Sequence, residues 1–270
     1  MTSLIAWVGV DARAPASVYL ASDSRLSWSK SSNWDTGRKL FSSKNRAEIL
    51  GYCGDVLFPS QKLGQIIEQI DNDLLISADM SIEEKQNQVF ESIKASFGDL
   101  PRTQKRKFDI AYCTRVGELM SSKFGFCRYS WSPKSGWSHK FVDIPETSQL
   151  IDVLGSGTES VNRWYEKWKR SDVKGTSRSV FSAFCDSISS CEDPFSGGAP
   201  QLVGIYRKGS SKTFGIVFNG SRFLLGDRVN NNLNLNNIEW RNELFERCDG
   251  EQLNLLEGAQ PQPRPQQLIS

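Results

Sequence analysis

The start of the chain constrains its fold more than any other segment. Leu4, Ala6, Val8 and Val10 alternate with Ile5 and Trp7, turn residues fill 11–16, and Val18-Tyr19-Leu20-Ala21 opens a second apolar run. Period-two alternation lines one face of a sheet, so these two runs read as a strand pair. A hairpin centred on Arg13 and Ala14 sets Thr2 opposite Arg25 and Leu4 opposite Asp23. The polar end of the second strand therefore returns to the first residues of the chain.

Lys39-Leu40-Phe41 and Ala47–Cys53 read as a further strand pair. Leu63, Ile66, Ile67 and Ile70 then share one helical face. Ser81 with Glu84 forms a capping-box pattern ahead of Ile82, Val89, Phe90, Ile93 and Phe97. Residues 108–114 and 124–131 read as strands, and 132–138 as turn material around Trp137. In the second half, a strand over 150–154 precedes two helical stripes, Val161/Trp164/Tyr165/Trp168 and Val180/Phe181/Phe184/Ile188. A hairpin follows, formed by 201–207 and 213–218. Alternating β-rich and paired-helix segments predict an α+β protein, a four-layer αββα sandwich with two facing sheets flanked by helix pairs. Residues 1–226 form that domain. Residues 227–270 read as an extension, Asn-rich at first and Pro/Gln-rich at its end, with a disordered last part.

Charge and composition remove several function classes. Thirty-three Lys and Arg against 31 Asp and Glu leave a net charge of +2, which offers no footprint for nucleic acid. No apolar run approaches the ~18–20 residues that span a bilayer. The first residues lack the basic region of a signal peptide and meet Asp11 early, so a cytoplasmic location is expected. Six cysteines without a CxxC spacing and a single histidine, His139, argue against a zinc site and a Ser-His-Asp triad. Neither metal nor organic cofactor is expected.

Chemistry without histidine can begin at Thr2. Methionine aminopeptidases remove Met1 before a small residue, which leaves a hydroxyl and a free α-amine on one residue. An α-amine of ordinary pKa ~7.7–8.0 is neutral in a useful fraction near pH 7 and can take the hydroxyl proton. The hairpin brings Asp23 to this point, and Lys39 lies one strand further on. A lysine there would depress the amine pKa and stabilise a developing alkoxide, with the aspartate holding it charged. Ser156, in Gly155-Ser156-Gly157, sits where a strand hands over to a helix. Asp193 and Ser196 share a tight loop before Gly197-Gly198. Taken singly, each has an ordinary explanation as an ion pair, a helix cap or a turn.

As a set they resemble the proteasome β-subunit and HslV family of N-terminal nucleophile hydrolases. The matching pieces are the Thr start, Ala21-Ser-Asp23-Ser-Arg25, Gly37-Arg-Lys39-Leu-Phe, Gly51-Tyr-Cys-Gly54-Asp55, Gly155-Ser156-Gly157 and Asp193-x-x-Ser196-Gly-Gly, in the family's order. The resemblance spans residues 2–226 and implies roles. Thr2 would be nucleophile and, through its amine, general base. Lys39 and Asp23 would tune that amine, and Ser156, Asp193 and Ser196 would hydrogen-bond around it. Gly54 would supply the oxyanion N–H, and Leu26, Tyr52 and Val56 would line a pocket favouring cleavage after hydrophobic residues. The implied activity is a threonine endopeptidase acting on peptides or unfolded proteins, in a homo-oligomeric ring or related assembly and with an ATP-driven unfoldase as partner. Two other readings are an amidase for small amides and a non-catalytic assembly subunit.

The chain departs from the family's pattern in a first hairpin loop about five residues longer and in extra length at 130–148 and after 226. Trp164, Tyr165 and Trp168 read as helix core or subunit interface. Cys53 reads as a small buried residue, and Lys105-Arg106-Lys107 as a solvated loop.

Overall fold

A computed structural model describes residues 2–230 and 233–268. Expectations that touch Met1, Asn231, Asn232, Ile269 and Ser270 lie outside the described residues. Strands β1 (Ser3–Val10) and β2 (Pro15–Ser22) form the expected hairpin. Its register differs by one residue from the centred reading: Leu4 faces Ser22 rather than Asp23, and the pairing shifts between Gly9 and Val10. Asp23 consequently falls beside Ser3, and its N–H donates to the Ser3 carbonyl at 3.1 Å.

Two-residue strands β3 (Leu26–Ser27) and β4 (Asn33–Trp34) follow, too short for any periodicity to announce. Then come β5 (Leu40–Ser42), β6 (Glu48–Gly54), α1 (Leu57–Asp71) and α2 (Ile82–Gly98). The capping box at Ser81 and Glu84 is present, with Glu84 N–H donating to Ser81 Oγ and Ser81 N–H to Glu84 Oε2. β7 (Phe108–Val116) and β8 (Lys123–Ser132) lead into β9 (Gly136–Val142), where the composition reads as a turn. Trp137 explains the difference: its indole packs 5.3–5.7 Å from the Phe90, Phe97 and Phe108 rings, an anchor that overrides the local Ser and Gly content. β10 (Gln149–Gly155), α3 (Thr158–Trp168), α4 (Ser177–Ser189), β11 (Gln201–Tyr206) and β12 (Lys212–Phe218) complete the expected order.

Among the described residues, β5-β6-β7-β8-β9 form one antiparallel sheet, and β10-β1-β2-β11-β12 form the body of a larger one. Three apolar clusters account for their packing. Leu4, Ala6, Val8, Val18 and Leu20 meet Ile49, Ala111, Cys113 and Phe126 where the two sheets face each other. Ile66, Ile70, Val89 and Ile93 of α1 and α2 cover the outer face of the smaller sheet. Val161, Phe181, Phe184 and Ile188 of α3 and α4 cover the larger one. At ~1.5–3 kcal/mol per fully buried aliphatic or aromatic side chain, these clusters dominate the folding energy.

The larger sheet adds β13 (Ser221–Leu224) and continues past residue 226 with β14 (Asp227–Arg228), β15 (Trp240–Asn242) and β16 (Arg247–Cys248). β15 runs parallel to β12, with Trp240 opposite Gly215 and buried. In the Pro/Gln-rich stretch, Arg264 makes a bidentate ion pair with Asp186 at 2.7 and 2.8 Å, and Trp168 Nε1 donates to the same carboxylate. No helix among the described residues is long and apolar enough to cross a membrane.

One buried ion pair fastens α2 to the smaller sheet. Lys85 Nζ donates to Glu48 Oε1 at 2.9 Å, and the Tyr112 and Thr114 hydroxyls donate to the same carboxylate at 2.6 and 2.9 Å. Burial raises the Glu48 pKa, while Lys85 and the hydroxyls oppose that shift. Replacing Lys85 by Met strands a buried carboxylate, so urea denaturation at neutral pH should show a loss of about 3–5 kcal/mol. A carboxyl with a raised pKa takes up a proton readily as pH falls, so the deficit should shrink towards acidic pH. A pH-independent deficit, or none, would contradict this assignment.

Candidate active site

The site forms around Asp23, whose side chain is fully buried just beyond the end of β2. Oδ1 accepts from Lys39 Nζ at 2.7 Å and from Ser3 N–H at 3.0 Å. Oδ2 accepts from Arg25 N–H at 3.1 Å and Gly197 N–H at 2.9 Å. Four donors from four chain segments thus converge on one carboxylate. Lys39 is equally buried; burial lowers its pKa and Asp23 opposes the shift. Gln201 secures the lysine's backbone, its Oε1 accepting from Lys39 N–H at 3.0 Å. Arg25 extends the cluster outward in a bidentate pair with Asp35 at 2.7 and 2.8 Å.

Thr2 lies against this cluster at the start of β1 and is 2% exposed. Its N–H donates to Ser156 Oγ at 3.1 Å, and Ser156 Oγ donates to Asp193 Oδ2 at 2.7 Å. Ser196 Oγ also donates to Asp193 Oδ2, at 2.7 Å. With the Ser196 proton committed, the 2.8 Å contact between Ser3 Oγ and Ser196 Oγ has Ser3 as donor. The expected residues Thr2, Asp23, Lys39, Ser156, Asp193 and Ser196 therefore lie in two linked networks joined through Ser3. Gly155 is required here: its φ is +97° and a Cβ would sit 1.9 Å from the Thr2 carbonyl oxygen.

Beside Ser156 opens a cleft of about 920 Å³ lined by Gly54, Val56, Leu57, Trp28, Arg106, Lys107, Arg128 and Gly155, among others. Gly54 closes β6 with φ +96°, and a Cβ there would meet the Lys107 carbonyl at 2.6 Å. Strand alternation fixes where its N–H points. Asp55 N–H donates to Lys107 on β7's side at 2.9 Å, so the Gly54 N–H faces the other edge, as Tyr52 N–H does in donating to the Lys39 carbonyl. That edge is the one on which Lys39 lies.

Of the expected pocket residues, Val56 lines the cleft, whereas Leu26 and Tyr52 are buried. The Tyr52 hydroxyl donates to the Arg38 carbonyl at 3.1 Å, and Leu26 packs on Gly37. Trp28 and Leu57, 71% and 58% exposed, supply apolar surface that the sequence reading did not single out. Ser3, Gly197 and Arg128 were missed as well. Arg128 joins Asp109 on β7 to Asp152 on β10, at 2.9 and 3.5 Å. Gly197 lies in the Asp193-x-x-Ser196-Gly-Gly piece, but its N–H bond to Asp23, like the contacts of Ser3 and Arg128, is revealed only by tertiary proximity. Burial pushes the Cys53 thiol up to about 12, so it is a poor nucleophile despite its position.

Removing the Asp23 carboxylate leaves Lys39 charged in a site with no water access. Asp23→Ala should cost about 3–5 kcal/mol by urea denaturation, and adding Lys39→Met should recover part of that loss. Equal stability of the single variant and the parent protein would show that the pair is not the anchor described.

No family model and no curated protein sequence matches this chain. Among solved structures, it is similar to eukaryotic HslV from Trypanosoma brucei, 14% identical with TM-score 0.46, over 75% of this chain and 99% of that one. It is also similar to Anbu, the ancestral beta-subunit from Yersinia bercovieri, 11% identical with TM-score 0.49, over 76% of this chain and 81% of that one.

Proposed function

We propose that this protein is a threonine-type endopeptidase of the proteasome-like class, built as a four-layer αββα sandwich and working through an acyl-enzyme on Thr2. The observation that carries the reading is the hydrogen-bond chain from Thr2 N through Ser156 to Asp193, set beside the buried Lys39–Asp23 pair. While a peptide bond joins Met1 to Thr2, the Thr2 nitrogen is an amide that can donate but not accept a proton. Hydrolysis of that bond turns it into an amine held by Ser156 and able to act as base.

The steps then follow from the positions of the groups. The Thr2 hydroxyl gives its proton to the amine as Oγ attacks the substrate carbonyl. The oxyanion forms on the side of the Gly54 N–H, which needs only a backbone donor. The protonated amine passes its proton to the departing peptide nitrogen, leaving an ester on Thr2. Water, deprotonated by the same amine, hydrolyses the ester and restores the hydroxyl. Lys39 keeps a fixed positive charge behind the nucleophile, and Asp23 keeps that charge in place. Val56, Leu57 and Trp28 form an apolar wall that supports cleavage after hydrophobic residues.

The reading carries with it an oligomer of this chain in the cytoplasm, peptides or unfolded proteins as substrates, and an ATP-driven unfoldase that would deliver folded ones. Its test is hydrolysis of a denatured protein and of fluorogenic peptides. Thr2→Ala should lower turnover at least about a thousandfold, and Thr2→Ser should retain a measurable rate. A Thr2→Ala protein as active as its parent would overturn the assignment.

A further inference from the structure

The cleft beside Ser156 does not end at the apolar wall. It shares Lys107, Asp109 and Arg128 with a neighbouring cleft of about 360 Å³, which adds Lys140 and the serines 130, 132, 135 and 138. The groove is therefore continuous from Ser156, the hydrogen-bond partner of Thr2, to the outer edge of the smaller sheet. Its charges are unevenly committed. Asp109 accepts from Arg128 Nη2 at 2.9 Å and from the Ser130 hydroxyl, and Arg128 reaches Asp152 with its remaining nitrogen. Asp55 accepts from Phe58 N–H at 3.3 Å, at the start of α1. Arg106, Lys107 and Lys140 are exposed and enter no ion pair among the described residues; Arg106 makes one 3.5 Å contact, to the Lys105 carbonyl.

Three cations outside any ion pair among the described residues thus line a groove that also carries the apolar side chains of Trp28 and Leu57. On a chain with net charge of only +2, that local concentration is not a reflection of overall charge. The Lys105-Arg106-Lys107 run, which reads from sequence as a solvated loop, delivers two side chains into the groove because β7 begins directly after it. We propose that this groove is a recognition subsite for acidic peptide segments. A hydrophobic residue would rest against Trp28 and Leu57 near Thr2, with carboxylate side chains of the same segment along Arg106, Lys107 and Lys140. The proposal rests on the peptidase reading of the site and names the class of substrate that the site would select.

Single exposed ion pairs contribute little, so selectivity requires that several act on one segment. The test is fluorescence anisotropy on the Thr2→Ala protein, which does not consume its ligand. Two labelled peptides share a leucine, and one carries three Glu where the other carries three Gln. The Glu peptide should bind about tenfold tighter, and the difference should shrink as salt is raised. Arg106→Gln with Lys107→Gln should remove most of that preference. Equal affinities for the two peptides would overturn the proposal, as would a preference that ignores salt. Both comparisons on Thr2→Ala need no groove substitution, so a misfolded double variant cannot obscure them. Absence of hydrolysis in the parent protein would sink the peptidase reading while leaving this binding result standing, so the two fail separately.

Discussion

The buried Asp23 carboxylate is the interaction on which the rest of the site depends. A charge in a water-free interior is tolerated only when it is paired and its lone pairs are filled, and Asp23 has both conditions met. Lys39 brings the opposite charge, and three backbone N–H groups from Ser3, Arg25 and Gly197 fill the remaining positions. Those donors come from the start of β1, the chain just past β2, the approach to β5 and the loop before β11. Folding that leaves any of them out strands a charge, so the carboxylate ties correct assembly of the larger sheet to correct placement of Thr2.

The two sheets supply the rigidity that this arrangement needs. The apolar cluster between them sets β1 and β6 face to face, and Gly54 and Ser156, the hydrogen-bond partner of Thr2, come to border one cleft. Helices α3 and α4 anchor the two loops that complete the site. Ser156 precedes α3, and Asp193 with Ser196 follows α4, so packing α3 on α4 holds both loops in register. The hydroxyl network is accordingly fixed by elements whose cores lie elsewhere.

Much of this was legible in the sequence because it rests on local pattern. The alternation through β1 and β2, the stripe on α1 and the box at Ser81 each follow from a period or a cap that a few residues spell out. Thr2, Asp23, Lys39, Ser156, Asp193 and Ser196 lie in hydrogen-bond networks joined through Ser3, each at a strand end or loop that topology constrains. What escaped was decided by distant contacts. The one-residue register change depends on an irregularity at Gly9 and Val10, and β9 depends on Trp137 finding three phenyl rings. Tyr52 follows strand alternation into the core and Leu26 is buried against Gly37, where the pocket reading needed both at the surface.

The central claim is that Thr2 becomes an N-terminal nucleophile, and intact mass spectrometry of the purified protein tests it most directly. The account expects a mature chain that starts at Thr2 and gains the mass of one molecule on treatment with a β-lactone, with the adduct mapping to Thr2. A chain that keeps Met1 and takes up no β-lactone would contradict it, because the amine that serves as base would never have formed.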